Sequence, residues 1–229
     1  MVGIIGAMDV EVQALKDAVL NPERKTVSGI EFVKGTISGK DVVIAKAGVG
    51  KVNAAVCAQT MTLLYSPDVI VNTGVAGSLS EQISVGDIVI GTSTLQHDMD
   101  TSPLGDPVGF ISGIDKVFMD CDKEVQKKLL KASEKLTNMK ITSGIIASGD
   151  VFLNDGEKRE RISSLFGAVA GEMEGASIGQ VCVINNTPYC VVRAISDNAD
   201  GSSHVDYPTF VKKAAENSTK LMIEFIKIY

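Results

Sequence analysis

The sequence predicts an α/β fold: one three-layer domain over residues 1–229, with a central mixed, mostly parallel β-sheet flanked by helices. Three observations carry this. Short β-branched runs alternate with longer stretches of helical spacing along the whole chain. The runs "VGIIGA", "DVIVNTGVAG" and "YCVVRAISD" are almost continuously apolar, as strands are when helices cover both faces of their sheet. No linker, repeat or low-complexity tract divides the 229 residues.

In order, "VGIIGA" reads as a buried strand and "VEVQALKDAVL" as a helix with Val12, Leu15 and Val19 on one face. "IEFVKGTI" and "DVVIAKAG" read as a hairpin around Ser38-Gly39-Lys40. "KVNAAVCAQTMTLLY" is a helix that stops before Ser66-Pro67. "DVIVNTGVAG" runs as a strand into a glycine-rich turn, and "VGDIVIGTSTLQH" is a further extended segment. Residues 98–118 carry two prolines and three glycines; so long an irregular stretch is expected to be functional or covered by a partner. The helix "DKEVQKKLLKASEKL", the strand "KITSGIIASGD" and a helix from Glu157 to Leu165 follow. The segment around Glu172 and Glu174, the strand "PYCVVRAISD" and a last helix from about Tyr207 to Ile228 complete the chain.

A formal net charge of -6 and the lack of any Lys/Arg cluster argue against nucleic acid as a partner. No apolar run approaches the roughly 18 residues that span a bilayer, and the N-terminus reads as a first strand rather than a signal peptide. A cytoplasmic protein acting on a small molecule is expected. Cys57, Cys121, Cys182 and Cys190 lie far apart with no C-x-x-C spacing, so disulfide and zinc roles are not expected.

"AGVGKVNAA" misses both phosphate-loop motifs: Asn53 stands where the dinucleotide fingerprint has its last glycine, and Val52 where the P-loop has Ser or Thr. It reads as a strand-to-helix turn that needs permissive glycines, close enough to a sheet edge to meet a ligand. "QHDMD" (His97, Asp98, Asp100) and "DNADGSSHVD" (Asp197, Asp200, His204, Asp206) lack metal-site spacing, and no metal is expected. Asp150, Glu174 and Asp197 each fall where a strand should end, with Glu11 shortly after the first strand and Arg193 four residues before Asp197. Taken singly such acids cap helices; together they would converge on one crevice at the sheet's C-terminal edge.

One stretch sharpens the question. "AVAGEMEGASIG" sets Glu172 and Glu174 two apart among small and apolar residues, where a carboxylate is costly without a partner or a task. With "GIIGAMDVEV", "AGVGKVNAA", "NTGVAGSL", "VGDIVI", "SGDVF" and "VVRAISDNAD", it resembles the 5′-methylthioadenosine/S-adenosylhomocysteine nucleosidases of the purine nucleoside phosphorylase superfamily, in the family's order from Gly3 to about Phe210.

The resemblance implies hydrolysis of the bond between adenine N9 and ribose C1′, without a cofactor, in a homodimer. Such a reaction builds positive charge on the sugar and needs an acid at the base and a carboxylate near the water. By resemblance, Asp197 protonates adenine N7 from a carboxyl kept protonated in an apolar site, Ser196 orients it, and Glu11 activates the water. Glu174 grips the ribose hydroxyls and favours the cationic sugar, beside Glu172 and Met173. Phe152 stacks on adenine and the Leu153 backbone reads its edge; Met8, Val49 and Tyr207 line the 5′-alkylthio pocket; Ala76 and Gly77 allow close approach to the ribose. Arg193 is expected among the substrate-binding residues. Two positions depart from the family: Val75 stands where Ser is frequent, and "MDTSPLGDPVGFISG" is less aromatic than the usual loop, which in family dimers reaches over the partner's pocket.

A phosphorylase on the same fold, or a nucleoside-binding protein without catalysis, are the alternatives. The phosphorylase is disfavoured because an N-terminal loop carrying Glu11 would repel a phosphate. The non-catalytic binder is disfavoured because Glu11, Glu174 and Asp197 are all present.

Overall fold

The computed structural model describes residues 1–136, 139–198 and 203–229, without the side chains of 203–206 and 208. Asp200 and the side chains of His204 and Asp206 therefore lie outside the described residues. Among the described residues there are ten strands and six α-helices: β1 Val2–Gly6, α1 Asp9–Asp17, β2 Leu20–Val27, β3 Ile30–Ile37, β4 Lys40–Lys46, α2 Lys51–Tyr65, β5 Val69–Ser78 and β6 Ile88–Gln96 come first. β7 Met119–Asp120, α3 Lys123–Ser133, β8 Ile141–Ser148, α4 Gly156–Phe166, β9 Ala168–Glu172, α5 Gly175–Asn185, β10 Tyr189–Asp197 and α6 Ser203–Ile228 follow.

All the strands belong to one mixed sheet of order β10-β6-β8-β9-β5-β1-β4-β3-β2, with β7 on β6. Five strand pairings are parallel and five antiparallel, and the two longest registers, β5 with β10 and β6 with β8, are parallel. Because β10 also pairs with β5, the strands β5, β10, β6, β8 and β9 close on themselves. That closure explains the burial of β10 at all nine positions. The ends of β5, β9 and β10 are thereby brought to one place.

The sequence reading lacks β2 and the two-residue β7. "LNPERKTV" is exposed along nearly its whole length and has no apolar alternation. It exists because Ser28-Gly29, both at positive φ, turn it onto β3, as Ser38-Gly39 turn β3 onto β4. Charges and a proline suit it to a sheet edge. α5 also goes beyond the reading, which placed only its start: "GASIGQVCVIN" is buried on most sides, so its composition lacks the polar face that marks a surface helix.

The stretch 98–118 holds a short 3-10 turn at Ser102–Leu104 and a bridge between Ile111 and Lys116. Ile111 is buried in the chain's own core, with Ile114 packed against it. Leu104 and Phe118 of the same stretch remain exposed. All four cysteines are buried free thiols. Among the described residues, no helix is long and apolar enough to cross a membrane, and no cluster of His, Cys, Asp and Glu could hold a metal.

Candidate active site

An open pocket of about 550 Å³ lies where β5, β9 and β10 end and α1 and α5 begin. It takes in thirteen of the fourteen residues singled out above. The exception is Arg193.

Glu11 enters from the first turn of α1. Its Oε2 accepts from the amides of Ala7 (2.7 Å) and Met8 (2.9 Å), and its Oε1 from the amide of Val75 (3.0 Å). Three of the four lone-pair positions of the carboxylate are thus taken, leaving one for a ligand or water. Burial pushes this carboxyl above the ordinary range, opposed by the nearby Arg193 and by the three amides.

Glu172 and Glu174, two apart, have different surroundings. Glu172 is the paired one. It accepts from the amides of Glu174 (3.0 Å) and Gly175 (2.8 Å) at the start of α5, from Ser148 Oγ, and from Arg193 Nη2. A carboxylate at a helix N-terminus facing a guanidinium is stabilised twice over. Among the described residues Glu174 accepts only from the Gly50 amide (2.8 Å), and Arg193 Nη2 stands 4.0 Å away. Burial first, then the adjacent Glu172, pushes its carboxyl up to about 8. The Gly50 amide reaches it because Gly48 and Gly50 both take positive φ in the turn before α2. Asp150 caps that turn, accepting from the Lys51 amide at 2.8 Å, while Lys51 Nζ meets Asp98 at 2.7 Å.

Arg193 sits behind the carboxylates rather than in the pocket. Fully enclosed, it is committed to Glu172, to Asn72 Oδ1 and to the Val192 carbonyl. The structure thus places Arg193 outside the pocket lining, with its guanidinium holding Glu172 in the pocket wall.

Asp197 ends β10. Ser196 Oγ lies 2.8 Å from its Oδ1, and its Oδ2 accepts from Nη2 of Arg159 on α4. Asp197 is thus buried beside a guanidinium that the sequence reading did not anticipate. Arg159 was not among the expected residues, because "GEKRERISSLF" reads as an exposed, charged helix. Its Nε also binds the Leu153 carbonyl (2.8 Å), the group expected to read the purine edge. Gly77 leaves room for this pair: a Cβ there would lie 2.7 Å from both Arg159 Nη2 and Asp197 Oδ2.

Phe152 and Tyr207 meet edge to face at 5.4 Å, and Tyr207 Oη is 3.4 Å from Met8 Sδ. Val49 stands half-exposed nearby at the rim. Ala7, Val75, Val151, Arg159 and Gly171 complete the lining.

The phosphorylase superfamily profile matches residues 1–227. The chain is 37% identical to the 5′-methylthioadenosine/S-adenosylhomocysteine nucleosidase of Shewanella halifaxensis, over 99% of this chain and 98% of that protein. It is 36% identical to the enzyme of the same name from Bacillus subtilis, over 98% and 97%. The chain belongs to the phosphorylase superfamily, in its methylthioadenosine/S-adenosylhomocysteine nucleosidase family.

Solved structures of the nucleosidase family superpose closely. The Neisseria meningitidis enzyme in complex with methylthio-immucillin-A matches with a TM-score of 0.96 at 34% identity, covering 100% of this chain and 99% of that one. The futalosine hydrolase of Helicobacter pylori matches with a TM-score of 0.94 at 31% identity, covering 100% and 97%.

Proposed function

We propose that this protein hydrolyses the N-glycosidic bond of 5′-methylthioadenosine and S-adenosylhomocysteine, and also of 5′-deoxyadenosine, releasing adenine and the 5-substituted ribose. The observation that carries this is Glu11, held by three amides in the same pocket as Glu174 and Asp197. In this reading Glu11 takes a proton from water, and its raised basicity suits the task. Glu174 meets the ribose hydroxyls, and in its ionised form it stabilises the positive charge that develops on the sugar. Asp197 passes a proton to N7 of a base lying against Phe152. Met8, Val49 and Tyr207 enclose the 5′ substituent. Nucleosides sharing the adenosine core and differing at the 5′ position should release adenine when incubated with the protein. Failure to release adenine from any of them would end this reading.

A cytoplasmic homodimer belongs to the same proposal. Val52, Val56 and Leu63 lie on one face of α2, with Val52 74% and Leu63 72% exposed. Ile184 of the neighbouring α5 is exposed too, the two helices being joined by Gln59 and Asn185. This face runs on to Val49 at the pocket rim. It supports a second copy of the chain docked there and closing the pocket. Leu63→Glu should give a monomer by sedimentation with lowered turnover; a fully active monomer would contradict the dimer's part in the site.

A further inference from the structure

Arg159 is a buried cation whose task the reaction outlined above does not use. Its side chain is only 2% exposed, yet it touches the substrate pocket. All its N–H groups are engaged: Nε and Nη2 with the Leu153 carbonyl, Nη1 with the carbonyls of Ser78 and Asn198, and Nη2 with Asp197 Oδ2. Three of the four acceptors are neutral carbonyls. Asp197 is the one carboxylate among its hydrogen-bond partners. So dense a set of acceptors holds the guanidinium in a single position, and Asp197 with it.

We propose that Arg159 is a positioning residue for the proton donor, stabilising the carboxylate that Asp197 becomes as it hands its proton to the leaving purine. The inference rests on the hydrolytic reading and deepens it. In the step concerned, the proton moves from Asp197 to N7 and the C1′–N9 electron pair goes to the base. Water oxygen bonds C1′, and its proton passes to Glu11. Before transfer Arg159 faces a neutral carboxyl; afterwards it faces an anion at hydrogen-bond distance. An interaction that strengthens along the reaction lowers the barrier rather than the binding energy. The low exposure of both partners keeps water from screening it. Arg159 also fixes the 151–155 loop through Leu153, so the base-binding wall and the proton donor share one anchor.

The test compares two leaving groups on the same 5-methylthioribosyl unit: adenine, which departs with a proton, and 4-nitrophenol, which departs as a stable anion without one. Arg159→Met should lower kcat for adenine release by about 10–100-fold with KM little changed. It should shift the ratio of adenine to nitrophenol kcat values by about tenfold or more against adenine. Arg159→Lys, which keeps the charge but not the fork, should fall between Met and the unaltered protein on the same ratio. Equal losses for both leaving groups, or a loss carried in KM, would overturn the proposal and leave Arg159 a structural clamp. An unaltered protein that releases no adenine would instead overturn the hydrolytic reading itself.

Discussion

Glu174 and Asp197 show how far neighbours decide what a carboxyl can do. Glu174 titrates at its ordinary 4.5 when unfolded and at about 8 when folded. Between these values the folded chain holds a proton that the unfolded chain lacks, so this stabilising contribution is complete below 4.5 and is lost as pH rises through about 8. Glu11 shifts in the same direction, so the test is a difference. The melting temperature of the parent should fall relative to Glu174→Gln as pH rises through that window, and parallel curves would contradict it. Asp197 has a different neighbour, the buried Arg159 guanidinium at hydrogen-bond distance. Asp197→Asn should reduce adenine release by about 10²–10⁴-fold. A turnover assay of the folded variant beside the parent reads this, and an unchanged rate would contradict it. The acids at strand ends were legible in the sequence because position in an α/β sheet predicts convergence. Their buried cationic partners were not. Arg159 and Arg193 reach the site from α4 and from the interior of β10, and no spacing within a motif encodes either.

At the scale of elements, β5 carries the site as much as α1 does. The Val75 amide fixes Glu11, and Gly74 makes room for it: a Cβ there would lie 2.5 Å from Glu11 Oε1. Gly74→Ala should therefore displace the carboxylate from its three amides and cut turnover by about 10²-fold or more, with the circular dichroism spectrum unchanged. Gly156→Ala, where an added Cβ meets nothing within 4 Å, is the control. Equal activity in the two variants would show that Glu11 does not depend on this clearance. Elements with a strong apolar signature, such as β1, β5 and β10, could be read from the chain. β2 could not, because its strand character comes from pairing with β3 and from a Ser-Gly turn rather than from its own side chains. Nor could the full length of α5, whose nearly all-round burial erases the amphipathic period.

The whole molecule brings these parts together by closing its sheet. With β10 paired to both β5 and β6, the strand ends that carry Glu172, Asp197 and the Val75 amide face one pocket. The sequence predicted a layered α/β sheet; the closure depends on long-range pairings that no local pattern reveals. The same arrangement bears on the nucleophile. The arginine that lines the pocket, Arg159, is committed to Asp197, and Arg193 behind the wall to Glu172. On the side where a nucleophile would stand is Glu11, which suits a water and repels a phosphate. The central claim is that water, not phosphate, takes the sugar. It is tested by following 5′-methylthioadenosine cleavage in ¹⁸O-labelled water, with and without phosphate. The account predicts free methylthioribose carrying the label at C1′, at a rate indifferent to phosphate and lowered in Glu11→Gln. Methylthioribose 1-phosphate as the main product, formed at a rate that follows phosphate concentration, would contradict it.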